Sequence, residues 1–326
     1  MFKAMVSRVA LGSLLAAAAT GVQAGNGPHG YPKDPVRFIV AFAPGGGTDI
    51  VARLVAAKLS ERIGQQVVVE NRAGASGILA AQFVARSEPD GQTLLIGGSG
   101  PMVFNPITYN KLPYDPVKDF EPITILGSYP IVLLANPKLP VSTLPELIAY
   151  ARKNPGTLNY GSAGASFQVP TEYFASQAKI TLSQIPYKGT ALAGQALMAG
   201  DIQLLSADIA PAVPLVNSGQ AKALAVTSAK RNPILPQVPS IAESGIKGFD
   251  FSLFSAAAAP KGTSREIVTY LQEQIHAVLH SDEISGRLAK MGVEPEGGSP
   301  EETAARFKRE IDLFRPIADA AGIKVD

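Results

Sequence analysis

Residues Phe42-Ala43-Pro44-Gly45-Gly46-Gly47-Thr48-Asp49 place three consecutive glycines, a hydroxyl and a carboxylate between an apolar run and a helical pattern. Glycines let a backbone approach a ligand closely, and the first turn of a helix leaves its N–H groups without intrahelical acceptors. An anion is the natural occupant of such a place. The competing reading is a tight strand-to-helix turn in which Thr48 or Asp49 caps the helix. Asp49 itself suits bracing better than anion contact, because like charge repels. The stretch lacks the Lys-Ser/Thr of a Walker loop and the G-x-G-x-x-G spacing, so no nucleotide cofactor is implied.

Two further small-residue loops share this design. Gly97-Gly98-Ser99-Gly100-Pro101 follows an apolar run at 93–96, and Gly161-Ser162-Ala163-Gly164-Ala165-Ser166 follows one at 158–160, with Ser166 a candidate cap and Pro170 expected within the first helical turn. Tyr187-Lys188-Gly189 and Asp208 stand just after two more such runs. Lys188 is placed to pair with a second carboxylate or to lie solvated at a rim. Asp208 is placed to bind an amine or hydroxyl, or to cap a helix. The candidate ligand-binding set is thus Phe42, Ala43, Pro44, Gly45, Gly46, Gly47, Asp49, Gly98, Ser99, Ser162, Gly164, Ala165, Ser166, Tyr187, Lys188, Gly189 and Asp208. Phe42, Phe167 and Phe254 are expected either to line a cleft, which would admit an aromatic ligand, or to lie in the core.

Hydrolysis is the rival chemistry. A serine nucleophile needs a histidine base. His29 lies in a Gly/Pro-rich N-terminal stretch, whereas His276 and His280 are four apart on a helix whose apolar positions Ile267, Val268, Leu271, Ile275, Val278 and Leu279 put them on the solvent side. Pro101 also stands where a nucleophile elbow needs glycine. An exported α/β hydrolase therefore remains only as an alternative, the reading being non-enzymatic. An i, i+4 histidine pair without a third ligand suggests no metal site.

These loops need strands to end where they begin. Apolar runs at 36–42, 67–70, 93–97, 131–134, 158–160, 184–186, 202–206 and 221–226 read as strands, and their lack of alternation suggests parallel strands buried on both faces. Helical patterns fall at 48–63, 77–86, 143–153, 170–178, 190–199, 211–218, 264–280 and 300–320. Alternation of this kind means an α/β fold. Turn-rich tracts at 104–122 and 231–239 bracket an inserted unit, so we expect two lobes: 25–126 with 246–326, and 127–245, joined by two crossing strands with a cleft between them.

The chain of 326 residues has no cysteine, so disulfides and thiolate chemistry are excluded and stability must come from a core. Residues 1–24 carry Lys3 and Arg8, a short apolar stretch and a Val22-Gln23-Ala24 end, the pattern of a secretory signal peptide rather than a membrane anchor. Its removal leaves 27 basic against 27 acidic residues, a balance without an electrostatic footprint for nucleic acid.

Taken in order, these blocks are similar to the Bug-type or TctC family of receptors for tripartite tricarboxylate transporters. The resemblance is carried by Tyr31-Pro32 with Pro35 to Val40, the loop 42–49, Val68 to Arg72, Glu88 to Gly91, Leu112 to Phe120, Asn154 to Ser162, Pro186 to Gly189, Ala223 to Thr227 and Val238 to Gly245. It implies a two-lobed type II periplasmic-binding fold, no catalysis, and capture of a small organic carboxylate by main-chain groups and waters at 42–49 and 97–100, with second-lobe contacts from 162–166, 187–189 and about 208. We expect a monomer in the periplasm that delivers its ligand to membrane permease subunits, the alternative receptor role being a ligand sensor that signals through a sensor kinase. Where the family often has a histidine, Gln168-Val169-Pro170 stand, and Phe251 to Phe254 stand where it often has a tryptophan.

Export predicts cleavage after Ala24. N-terminal sequencing of the periplasmic fraction should begin at Gly25, and a protein still starting at Met1 would contradict it.

Overall fold

The computed structural model describes residues 27–187 and 189–324; the expected leader, residues 25–26, Lys188 and the last two residues fall outside them. In chain order the elements are β1 (Val36–Val40), α1 (Gly47–Ile63), β2 (Val67–Asn71), α2 (Ile78–Ala85), β3 (Thr93–Gly98), a π-type turn (Gly100–Phe104) running into α3 (Asn105–Thr108), β4 (Phe120–Tyr129), β5 (Ile131–Ala135), α4 (Leu144–Lys153), β6 (Asn159–Ser162) and α5 (Ala165–Ala178). There follow β7 (Ser183–Pro186), α6 (Thr190–Ala199), β8 (Leu204–Asp208), α7 (Ile209–Asn217), β9 (Lys222–Val226), β10 (Leu253–Pro260), α8 (Arg265–Leu279), α9 (Asp282–Ala289), β11 (Glu294–Pro295) and α10 (Pro300–Ala320).

Two sheets result, one ordered β11-β4-β10-β3-β1-β2 and the other β7-β6-β8-β5-β9. β1 is parallel to β2 and β3, and β6 is parallel to β7 and β8. All but one residue of β1 are fully buried, as its Val/Ile/Phe content requires of a strand covered on both faces. On α1 the buried positions Val51, Ala52, Val55, Ala56, Leu59 and Ile63 form one stripe, and Gly64 ends the helix with φ 69° while its N–H reaches the Ser60 carbonyl.

The expectation of parallel strands throughout is corrected at β5, which runs antiparallel to β8 and β9. Two long strands were not foreseen. β4 and β10 pair antiparallel, and β10 also runs antiparallel to β3. Pro122 sits inside β4 beside a register shift in its pairing with β10, between Ala257 and Ala258, an irregularity of the kind that tolerates proline in a strand. Helix α5 begins at Ala165, five residues before the expected start, so Pro170 is interior and leaves the Ser166 carbonyl without its i+4 donor.

The chain crosses between the sheets at Pro130, from β4 into β5, and again on the way from β9 to β10. The two crossings are tied to each other: Thr227 N–H donates to the Ile131 carbonyl (3.0 Å), Ile131 N–H to Thr227 Oγ1 (2.9 Å), and Phe251 N–H to the Thr227 carbonyl (2.9 Å). Helix α10 clasps them from outside. Its Arg306, largely buried, pairs with Glu310 (2.8 Å) and Glu296 (2.6 Å), donates to Ser128 Oγ (3.0 Å) and to the Ser252 carbonyl (3.1 Å), and stands 4.7 Å over the Phe254 ring. An aromatic cluster bridges the sheets beside it, with Tyr173 of α5 stacked on Phe249 and edge-on to Phe314 of α10, which meets Phe251 and Phe104.

Close strand approach fixes one glycine. A Cβ on Gly98 would lie 2.1 Å from the Phe254 carbonyl oxygen of β10. Gly98→Ala should therefore cost roughly 1–3 kcal/mol of stability, the usual range for overpacking. Gly286→Ala, in open space on α9, should be neutral or stabilising by up to about 1 kcal/mol. Denaturant midpoints of the two variants test this, and equal midpoints would contradict it.

Candidate functional site

The parallel strands β1, β3, β6, β7 and β8 all end on one side of their sheets, and the loops that follow them face each other across a cavity of about 740 Å³. Ligands of open α/β sheets collect outside such carboxyl ends. Of the expected residues, Phe42, Gly46, Gly47, Ser99, Gly164, Ala165, Ser166, Tyr187, Gly189 and Asp208 line this cavity, as do Phe167 and Phe254. The cleft is narrow: a Cβ on Gly100 would come within 3.6 Å of both Ser166 Oγ from the facing sheet and the Phe42 ring.

The four helices that open onto the cavity share a feature. α1, α5, α6 and α7 have Gly46, Gly164, Gly189 and Asp208 at their N-caps, and none of these makes a side-chain capping bond. By contrast α4, α8 and α10 start away from the cavity and are capped by Thr143, Ser264 and Ser299, although α9, which also starts elsewhere, has Ser281 at its N-cap without a capping bond. First-turn N–H groups at Gly47, Thr48, Ala165 and Ser166 thus point into a cavity whose described lining contains no Lys or Arg. Their partial positive charge favours an anion.

Several expected contacts prove to be supports instead. Asp49 is 2 % exposed and faces away from the cavity. It accepts hydrogen bonds from Gly45 N–H (2.9 Å), Arg53 Nε (3.0 Å) and Asn71 Nδ2 (2.8 Å), and Asn71 also donates to the Phe42 carbonyl (3.1 Å). Burial pushes the Asp49 carboxyl up, but the bonds from Arg53, Gly45 and Asn71 together hold it below the ordinary value. Neither Thr48 nor Asp49 caps α1; the N-cap is Gly46. Ala43, Pro44 and Gly45 form the exposed outer curve of the loop and do not line the cavity; Gly45 has φ 81°, the one position of this loop that needs glycine. Gly98 does not line the cavity and packs instead against the Phe254 carbonyl of β10. Ser162 is fully buried at the end of β6, where its hydroxyl accepts from Gln184 Nε2 (3.1 Å). Ser166 lies in the first turn of α5 rather than capping it. Lys188 is outside the described residues.

Ser99 keeps its place in the wall while its Oγ accepts the Phe254 N–H (3.0 Å), which leaves the hydroxyl proton free to donate inward. Behind it, Asn105 donates to the Ser76 carbonyl and Tyr114 hydroxyl, and Tyr114 donates to the Pro101 carbonyl (2.7 Å). Tyr129 was not foreseen. It is the last residue of β4, just before the crossing, and its hydroxyl hydrogen-bonds with those of Thr48 and Ser255; burial, with the charge of Asp208 second, raises its pKa strongly. Ser76, Met291 and Val293 also reach the cavity from distant parts of the chain.

Among the described residues that line the cavity there is no histidine. His276 of α8 and His280 at its C-cap are exposed, stack on each other (ring centroids 4.2 Å apart) and do not line the cavity. Among the described residues no group of three or more His, Cys, Asp or Glu could hold a metal ion, and no helix is long and apolar enough to cross a membrane.

Protein BugT of Bordetella pertussis is 35% identical over 314 residues, covering 94% of this chain and 95% of that one. Among solved structures, R. palustris Rpa4515 with adipate superposes with a TM-score of 0.80 at 38% identity, covering 90% of this chain and 99% of that one. MatC (Rpa3494) from Rhodopseudomonas palustris with bound malate gives 0.76 at 33% identity, covering 88% and 99%. The model of the tripartite tricarboxylate transporter family receptor matches residues 51–322, so the two-lobed chain with its cleft of open helix ends belongs to that receptor family.

Proposed function

We propose that this protein is a non-catalytic periplasmic receptor that closes on a small organic carboxylate and delivers it to the membrane subunits of a tripartite transporter. The observation that carries this reading is the set of uncapped helix starts, contributed by both sheets, around one cavity with no described basic side chain. Such a site exchanges the carboxylate's water for fixed N–H and O–H donors, which limits the penalty for burying the charge. Relatives that hold adipate and malate support the ligand class. Phe42, Phe167 and Phe254 leave room in the same cleft for an aromatic acid.

Delivery requires release, and the paired crossings at Ile131, Thr227 and Phe251 are suited to act as a hinge. The protein acts as a monomer in this reading, both sheets of one chain contributing residues to the cavity wall.

A thermal-shift screen of mono-, di- and tricarboxylates identifies the ligand, because a molecule that binds only the folded state raises its apparent stability. With that ligand, calorimetry should show Ser166→Ala weakening binding by about 1.5–3 kcal/mol, the scale of a hydrogen bond to a charged group. Gly46→Val should lose binding altogether. The φ of Gly46 is −74°, which any residue adopts, so the loss comes from a side chain filling the cavity and not from backbone strain. Near-native affinity in Gly46→Val would contradict the proposal.

A further inference from the structure

Asp208 closes β8 at the N-cap position of α7, yet its carboxylate makes no capping bond to that helix. It lines the cavity instead, half-buried, and no hydrogen bond or ion pair to it is made by the described residues. A buried carboxylate without a partner is costly unless something else supplies one. Its titratable neighbour across the cavity floor is Tyr129, whose hydroxyl is already engaged with Thr48 and Ser255 and which feels the charge of Asp208. The cavity is therefore bipolar. The starts of α1 and α5 and the hydroxyls offer donors, whereas Asp208, at the start of α7, presents an acceptor without a partner among the described residues.

We infer that Asp208 selects carboxylates whose far end carries a hydrogen-bond donor, a hydroxyl or an ammonium group, over carboxylates with a second ionised carboxyl group at that end. The inference rests on the carboxylate reading above and refines it. The ligand's own carboxylate takes the open helix starts, and its donor satisfies Asp208, so both buried polar features are paired at once. A second ionised carboxylate beside Asp208 meets like charge in a cavity of low dielectric. Burial raises the Asp208 carboxyl to about 6, which leaves it mostly ionised at neutral pH and able to discriminate in this way.

The test uses two matched series and the complete mature protein. One is caproate, ω-hydroxycaproate, ε-aminocaproate and adipate; the other is para-toluate, para-hydroxybenzoate, para-(aminomethyl)benzoate and terephthalate. In at least one series the wild-type protein should bind a donor-ended member about tenfold or more tighter than its dicarboxylate, the scale expected when a buried polar group is left unpaired or opposed. Asp208→Asn keeps the shape and suits an N-cap equally well. It should cut the preference for the ammonium-ended member by about tenfold and improve the dicarboxylate. Wild-type protein that binds adipate or terephthalate most tightly, or an Asp208→Asn variant with unchanged ranking, overturns this inference while leaving the carboxylate reading intact. The wild-type ranking alone decides if the variant fails to fold. Binding of neither series, or equal binding of caproate and its methyl ester, counts against both readings.

Discussion

A helix start leaves N–H groups that only something outside the helix can satisfy, and this protein aims several of them at one cavity. Everything around the cavity follows from keeping those groups both unsatisfied and accessible. Glycines at Gly46, Gly164 and Gly189 avoid the side-chain oxygens that would otherwise fill the caps, while Thr143, Ser264 and Ser299 do fill them on helices that begin elsewhere. Asp49 then has to act from behind, holding the loop through Gly45 and Asn71 without offering its charge to the cavity. An anion held in this way needs no salt bridge. The approach avoids the large desolvation that a buried cation would add to that of the ligand.

Donors from two sheets are useful only if the sheets can part. Two chain crossings joined by Ile131, Thr227 and Phe251 provide a narrow connection, and Arg306 holds α10 against the same strands through Ser128 and Ser252. The ring of Phe254 lies between this clasp and the ligand, packed on Phe307 and under Arg306 on one side while lining the cavity. Contact with a ligand is thus continuous with the packing of the crossing strands. A ligand shifts the balance between open and closed forms only by as much as it prefers the closed one.

Much of this was readable from local pattern. The strand-to-helix loops at 42–49 and 161–166 announce themselves by small residues between periodic segments, and the helix from 300 to 320 matches its pattern at both ends. What escaped has physical causes. β10 is Leu253-Phe-Ser-Ala-Ala-Ala-Ala-Pro260, too poor in β-branched residues to read as a strand, and it forms because neighbours on both sides bury it completely. β4 contains a proline, which argues against a strand by pattern and is accommodated beside a register shift in the pairing with β10. Gly98 and Ser162 have the composition of ligand loops, but register puts one against a carbonyl and the other beneath the wall. Tyr129 and Met291 reach the cavity from remote segments, and no local signal marks a residue whose role is set by tertiary contact.

The central claim is that neutral donors at helix starts hold the ligand's carboxylate. Backbone amide NMR of the uniformly labelled protein, titrated with the carboxylate identified by thermal shift, tests it most directly, because an N–H that donates to an anion moves downfield. The account predicts the largest downfield shifts at Gly47, Thr48, Ala165 and Ser166. Unmoved amides at these four positions, with the main perturbation elsewhere in the chain, would contradict it.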